Sequence, residues 1–479
     1  MGIARPNILW LCADDFTPLV CGAYGNQQVR TPNLDRLAEM GTRFDHAYCS
    51  CPLSTPSRQA FWTGRYPRSI GVTLSPTPLP EDEVTLPTLL KGVGYETVAI
   101  GKTHYYAPRG HEFDWWIDRA EYRQWLQQKG ARRVPSDTPV LGPWRPFYDP
   151  ASVWLNSDCL PYGAFDSDMD GTYFALRAED YLLREHPSPF FLYVSFYETH
   201  SPFPFPIEYR GRYDPSAFTV PSVRPDDVDQ LPSVFRSLTT AEKQGIIAAC
   251  HTSAEFMDKN VGIVLDALEV SGHADDTFVI FTSDHGYMLG QHGRFEKHCC
   301  YDPAVRSALL MRFPELIRAG GASNELVELI DVVPTILKLC GATVPANVQG
   351  RSLLPLLRGE VATHREWVIA EYADNEEAMI RTDRWKLIYS TGRRRRQDGY
   401  ALSRSVGRSV RLYDMVRDPD ETTNLAGQSG HAATVRELID RLAVHMKDTA
   451  RYPSLIPHTK DAHALLEHCL VPQEAWSFG

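Results

Sequence analysis

Short apolar runs separated by amphipathic stretches fill the first three quarters of the chain, and few architectures accept that order. Asn7 to Cys12, Glu96 to Ile100, Phe190 to Phe196 and Thr277 to Thr282 read as strands. Runs this apolar predict a sheet buried on both faces. Helices lie between them. Thr31-Pro32 opens one that runs to about Met40, with Thr31 as N-cap and Pro32 in the first turn. Leu86 to Lys91 and Tyr173 to Glu185 read as two more. Thr239-Thr-Ala-Glu242 is a capping box opening a long helix that ends near Gly272. The alternation predicts an α/β fold, a large mixed, mostly parallel sheet sandwiched by helices. Ligands of such sheets bind beyond the carboxyl ends of the strands. Asp14-Asp15, His200 and Asp284-His285 each closely follow an apolar run, so all can meet on one edge.

After about residue 361 the texture changes. Trp367 to Tyr372, Trp385 to Ser390 and Val410 to Tyr413 read as antiparallel strands, followed by a helix near Thr434 to Lys447. We therefore expect a catalytic domain over 1–360 and a smaller α+β subdomain over 361–479. The region from Gln127 to Asp166, rich in proline and aromatics, predicts a long irregular insertion. The basic run Arg393 to Arg396 reads as a solvated hairpin tip. The apolar tail from Pro453 to Gly479 could dock on its own domain or serve as an arm in a homo-oligomer.

Composition removes several classes. A net charge of −11 argues against general nucleic-acid binding. No apolar run is long enough to span a bilayer. The first apolar run ends in Asp14-Asp15 and lacks the flanks of a signal peptide, so the chain is expected to be cytoplasmic. Ten cysteines in 479 residues make no dense disulfide framework, and neither Cys49-x-Cys51 nor Cys299-Cys300 has zinc spacing. Reduced, buried thiols are expected.

The strand ends carry the candidate chemistry. Asp14 and Asp15 are adjacent carboxylates, and Asp284-His285 repeats the arrangement. At a frayed strand end both neighbours can turn toward one ion. Three carboxylates and an imidazole suit a divalent cation, and the carboxylates favour Ca²⁺, Mg²⁺ or Mn²⁺. Lys102 and His104, two apart at a strand end, can face one pocket. Lys297 and His298 follow the glycine-bearing loop Gly286 to Gly293.

Ser54-Thr55-Pro56-Ser57-Arg58, followed by Thr63-Gly64-Arg65, sets a hydroxyl four residues from an arginine. Pro56 favours the first turn of a helix. Ser54 would then lie at the helix N-terminus, where free N–H groups and the dipole favour an anion. Nucleophile, cation and anion-binding helix end together suggest chemistry on a sulfate or phosphate ester. The string resembles the C/S-x-P-S-R-x-x-x-x-T-G-R motif of the sulfatases of the alkaline-phosphatase superfamily. Further matching blocks are Pro6 to Asp15, Thr31 to Leu37, Gly101 to His104, Tyr197 to His200, Ser283 to Gly286 and Leu412 to Pro419. They stand in family order over residues 6 to 425.

The resemblance implies an alkaline-phosphatase-like fold and hydrolysis of sulfate monoesters. It implies that Asp14, Asp15, Asp284 and His285 hold one metal, completed by Ser54. Calcium is the usual metal, although many relatives carry asparagine where His285 stands. Ser54 would be oxidised to formylglycine, whose hydrate attacks sulfur to form a covalent sulfate. Arg58, Lys102 and Lys297 would balance charge and hold the nucleophile. His200, with Lys297, would protonate the leaving alcohol, and His104 would deprotonate the second hydroxyl to expel sulfate. Cys51 cannot replace Ser54, because Cys51-Pro-Leu-Ser-Thr lacks the motif. Serine versions imply a radical-SAM maturation enzyme as partner. The alternative on this scaffold is a phosphodiesterase or phosphonate monoester hydrolase. The Lys102-x-His104 pair favours a sulfatase, since the phosphonate hydrolases lack it. A third reading is a binding-only protein with unconverted serine. Trp115, Trp116, Tyr105, Tyr106 and the insertion near Trp144 could line the pocket. Ser283 to Arg312 resembles the iduronate- and choline-sulfatase-like branches, and a sulfated carbohydrate is the preferred substrate class.

Overall fold

The computed structural model of the protein describes residues 5–106, 112–143, 145–393 and 407–476. Trp144 and Arg394 to Arg396 lie outside these residues. The strands, in chain order, are β1 (Asn7–Ala13), β2 (Thr42–Phe44), β3 (Ala47–Tyr48), β4 (Glu96–Gly101), β5 (Trp115–Ile117), β6 (Phe190–Ser195), β7 (Thr277–Ser283), β8 (Arg306–Ser307), β9 (Leu309–Arg312), β10 (Gly321–Ser323) and β11 (Val327–Glu328). Eight of them form one sheet in the order β10-β2-β9-β7-β1-β6-β4-β5. Neighbours run parallel except at β9, which is antiparallel to both β2 and β7. β3, β8 and β11 make a small separate sheet.

The helices of this part are α1 (Pro32–Glu39), α2 (Ser54–Thr63), α3 (Pro67–Ile70), α4 (Leu86–Lys91), α5 (Arg119–Lys129), α6 (Ala151–Trp154), α7 (Asp170–Leu182), α8 (Thr240–Val270), α9 (Asp302–Val305), α10 (Val332–Leu339) and α11 (Leu354–Leu357). The period of two along β1 divides the core. Leu9, Leu11 and Ala13 face a cluster with α1, α7 and α8, while Ile8, Trp10 and Cys12 face one with α2, α4 and α10. On the second side Trp62 meets Trp10 at 5.7 Å and Tyr193 at 4.6 Å between ring centroids. Truncating such an indole costs about 3–5 kcal/mol.

A third sheet follows: β12 (Val368–Tyr372), β13 (Glu377–Arg381), β14 (Trp385–Ser390) and β15 (Ser409–Asp414), antiparallel throughout. The sequence reading found three of these strands and missed β13. Helices α12 (Ala432–Asp448) and α13 (Ala462–Cys469) pack on it. The tail docks on its own sheet through Leu465, Leu466 and Cys469.

Thr31 is the N-cap of α1, its carbonyl accepting from the Asp35 amide at 2.9 Å, but its Oγ accepts from the Gly22 amide at 2.8 Å and not from the helix. Asp258 of α8 supplies the side-chain cap from outside, accepting from the amides of Asn33 at 3.1 Å and Leu34 at 2.8 Å. The insertion is irregular apart from the end of α5 and four-residue α6. The ten cysteines are all free, and nine are buried. Among the described residues no helix is long and apolar enough to cross a membrane.

Candidate active site

Strand register builds the site. Ala13 pairs with Ser283, and Gly101 pairs with Ser195, so Asp14, Asp284 and Lys102 leave the sheet side by side. The Asp284 amide donates to the Ala13 carbonyl at 3.2 Å, and the Asp15 amide donates to Asp284 Oδ1 at 3.1 Å. Gly101 turns the chain there with φ at +95°, and a Cβ would stand 1.9 Å from the Ser195 carbonyl oxygen. Only glycine fits that approach.

Asp14, Asp15, Asp284 and His285 converge, with one ligand atom from each lying within 4.8 Å of the others. All four are buried. His285 Nδ1 donates to the Gly286 carbonyl at 2.9 Å, which leaves the Nε2 lone pair facing Asp15 Oδ1 at 3.3 Å. Asp15 Oδ2 is buried with no hydrogen-bond partner among the described residues. The donor set of carboxylates and one imidazole fits a hard divalent cation.

Ser54 is the first residue of α2, and no side chain caps this helix. Its Oγ lies 3.1 Å from Asp14 Oδ1 and 2.9 Å from His285 Nε2. One turn on, Arg58 is fully buried. Its Nε donates to Asp284 Oδ2 at 2.8 Å, and one guanidinium nitrogen donates to the Lys102 carbonyl, Tyr193 Oη and Ser195 Oγ, each at 2.9 Å. Lys102 Nζ contacts Asp14 Oδ2, and Lys297 Nζ contacts Asp15 Oδ1 at 2.5 Å. His200 Nε2 stands 3.8 Å from Asp15 Oδ2.

Charge balance sets the protonation states. Burial alone would raise the Asp14 carboxyl, but Lys102, His200, Arg58 and Lys297 outweigh it and hold it well below the usual carboxylate range. Asp15 is lowered in the same way, against burial, by His200 and Lys297. Burial pushes His104 well below the ordinary histidine value, and the charges of Lys102 and Arg58 add to that. Burial also lowers Lys102 and His200.

Asp14, Asp15, Ser54, Lys102, His104, His200 and Lys297 line one cavity of about 840 Å³ with Tyr106, Tyr197, His298 and the face of α5, while Arg58, Asp284 and His285 lie behind it. Lys102 and His104 reach it from the loop after β4, not from the strand, and His104 has φ of +62°. The expected aromatic lining is only partly right. Tyr106 lines the cavity, whereas Tyr105 is packed in the core, 6.2 Å from Phe113, and Trp115 and Trp116 sit on edge strand β5. Arg65 stands apart, paired with Glu83 at 2.6 Å. The sequence reading missed Arg119, Tyr122, Arg123 and Leu126 of α5, although their i, i+3, i+4, i+7 spacing is a readable signal.

Comparison with known proteins agrees with this geometry. The family model named Sulfatase matches residues 6–342, and that of the N-sulphoglucosamine sulphohydrolase C-terminal region matches 290–448. An N-acetylglucosamine-6-O-sulfatase of Bacteroides thetaiotaomicron is 27% identical, covering 91% of this chain and 86% of its own. An ulvan-active sulfatase of Formosa agariphila is 26% identical over 91% of this chain and 80% of its own. Among solved structures, a protein bound to its substrate D-glucosamine-2-N,6-O-disulfate superposes with a TM-score of 0.74 at 23% identity, covering 96% of this chain and all of that one. A phosphonate monoester hydrolase of Agrobacterium radiobacter reaches 0.76 at 22% identity, covering 95% and 98%. The chain belongs to the sulfatase family of the alkaline-phosphatase superfamily, the sulfuric ester hydrolases.

Proposed function

We propose that this chain hydrolyses the sulfate monoester of a carbohydrate at the cleft around Ser54, with Ser54 converted to formylglycine. The supporting observation is the convergence of Ser54 Oγ on Asp14 and His285 in a pocket that also holds Lys102, His104, His200 and Lys297. Asp14, Asp15, Asp284 and His285, with the oxygen at position 54, would hold one divalent cation, by chemistry calcium, with Mg²⁺ or Mn²⁺ as alternatives. Such a cation supplies Lewis acidity toward the sulfuryl oxygens. Formylglycine supplies, as its hydrate, one hydroxyl to attack sulfur and a second to release the product.

The remaining work falls to this chain's own side chains. Lys102 and Lys297 face the site as cations for the sulfuryl oxygens, where charge builds in the transition state. Arg58 fixes Asp284 and keeps the start of α2 against the strand ends. His104, its basicity reduced by burial and by Lys102, stays neutral near pH 7 and can accept a proton. His200 donates to the leaving alcohol; a bound sulfate ester beside it opposes the downward shift that burial imposes.

The maturation partner in this reading is a radical-SAM enzyme that acts on serine. The deciding experiment is mass spectrometry of the tryptic peptide Phe44 to Arg58 from protein made with and without such an enzyme, joined to a sulfate-release assay. Loss of two hydrogens at Ser54 together with sulfate release is the expected result. An unmodified serine despite the maturase, with turnover of phosphodiesters, would replace this reading by the phosphodiesterase alternative.

A further inference from the structure

The cavity has a second cationic wall. Helix α5 turns Arg119, Tyr122, Arg123 and Leu126 toward it, and Arg132 follows just beyond the helix end. No residue of α5 is fully buried; Tyr122 and Trp125 rest half-buried against Tyr173 of the core. The wall's carboxylates are already answered. Asp170 accepts from Arg119 at 2.6 Å, and Asp168 accepts from Lys129 at 2.5 Å and from the Arg132 amide at 2.8 Å. Arg119 is further pinned over the Tyr197 ring, 3.6 Å from its centroid.

Arg123 and Arg132 are different. Both are exposed to the cavity, and among the described residues neither guanidinium has an acceptor. Arg132 is stacked on Phe165 at 3.8 Å, which orients its plane while leaving its N–H edge free. The local surplus is two positive charges in a chain whose net charge is −11. Tyr122, Phe147, Trp154 and Tyr162 supply flat apolar walls in the same cavity. A guanidinium with a free edge matches the two oxygens of a carboxylate or sulfate.

We propose that Arg123 and Arg132 form a second oxyanion subsite, and that the saccharide bound here carries a carboxylate or further sulfate besides the ester that is cleaved. This rests on the sulfated-carbohydrate reading above and narrows it to polyanionic saccharides. The two sources of the second anion share one chemistry, and the substrates of the test separate them.

The test compares matured wild-type enzyme with R123A, R132A and the double variant on three substrates. These are a monosulfated neutral sugar, the same sulfated sugar joined to a uronate, and a disulfated sugar. The double variant should lower the ratio of kcat/KM on a dianionic substrate to that on the neutral one by about 10- to 100-fold, mainly through KM. Loss confined to the uronate or to the disulfate identifies the anion. An unchanged ratio for both overturns the subsite. Binding provides a readout independent of hydrolysis, using an unsulfated oligouronate in titration calorimetry. Wild-type protein should bind it in a salt-sensitive manner that the double variant loses. Equal binding by both proteins overturns the subsite even if sulfate release is normal; no binding by wild type excludes the carboxylate and, with an unchanged ratio for the disulfate, overturns the subsite as well. Absence of sulfate release with intact, arginine-dependent binding overturns only the proposed reaction.

Discussion

Arg58 stands between Asp284 and Asp14 without access to water, 2.8 Å from one and 3.5 Å from the other. Arg58→Ala would leave two carboxylates facing each other in a dry interior. Breaking a buried pair from one side costs about 3–5 kcal/mol. A fall in the thermal midpoint should therefore accompany loss of turnover, and a variant of unchanged stability would contradict the arrangement. His104→Ala is a cleaner probe, because among the described residues the His104 side chain hydrogen-bonds only Tyr106, at 3.2 Å, and the carbonyl that accepts from Gln59 at 2.9 Å is kept. It should leave the first turnover and slow steady state by about 10²- to 10⁴-fold. Rapid-quench measurement would show a burst followed by near arrest; multiple turnover at the normal rate would remove His104 as the releasing base.

The long helix α8 shows how one element ties distant parts together. His251 on this helix donates from Nδ1 to the Ile247 carbonyl at 2.8 Å, and its Nε2 faces the Asn26 amide nitrogen at 3.1 Å. Asn26 cannot turn over, since its Oδ1 already accepts from the amides of Gln28 and Val29. Burial pushes the His251 pKa down to about 4. The folded value lies below that of an exposed imidazole, about 6.5. The stabilisation is thus complete above pH ~6.5 and is lost as pH falls through about 4, at about 1.4 kcal/mol per pH unit in between. Denaturant midpoints across that window should fall less steeply in His251→Gln than in wild type. The same helix explains a miss of the sequence reading. Asp258 caps α1 across a separation of more than two hundred residues, a contact no local signal announces. By contrast, β1, β6 and β7 were legible because strands buried on both faces must be apolar throughout. β13, Glu-Ala-Met-Ile-Arg, was not: its charged ends are buried by partners elsewhere, Glu377 by Arg411 and Arg381 by Asp302.

Across the whole molecule, the chain's end holds its beginning. Glu474 accepts from the amides of Thr73 and Leu74 at 2.8 and 2.9 Å and from Thr77 Oγ1 at 2.8 Å. Within that loop Ser75 lines the cavity and lies 2.8 Å from Thr55 Oγ1, beside Ser54. Glu474→Ala should cost about 1.5–3 kcal/mol and speed amide exchange at Thr73 and Leu74. Unaltered exchange there would deny the latch. Much of the site could be read in sequence because its residues follow strands that end at one edge of the sheet. The arginine wall was missed, because the spacing along α5 marks one face of the helix but not the cavity that face borders, which exists only once the insertion has folded over it. Every residue of α2 is buried, so the helix that opens with Ser54 has no outer side. The maturase proposed above, which must grasp the chain around Ser54, would therefore have a brief opportunity, open during synthesis and shut once the domain closes. Maturase added to native protein should leave Ser54 as it is, while the extended peptide is converted. The chemical state of residue 54 would then record the circumstances in which each molecule was made.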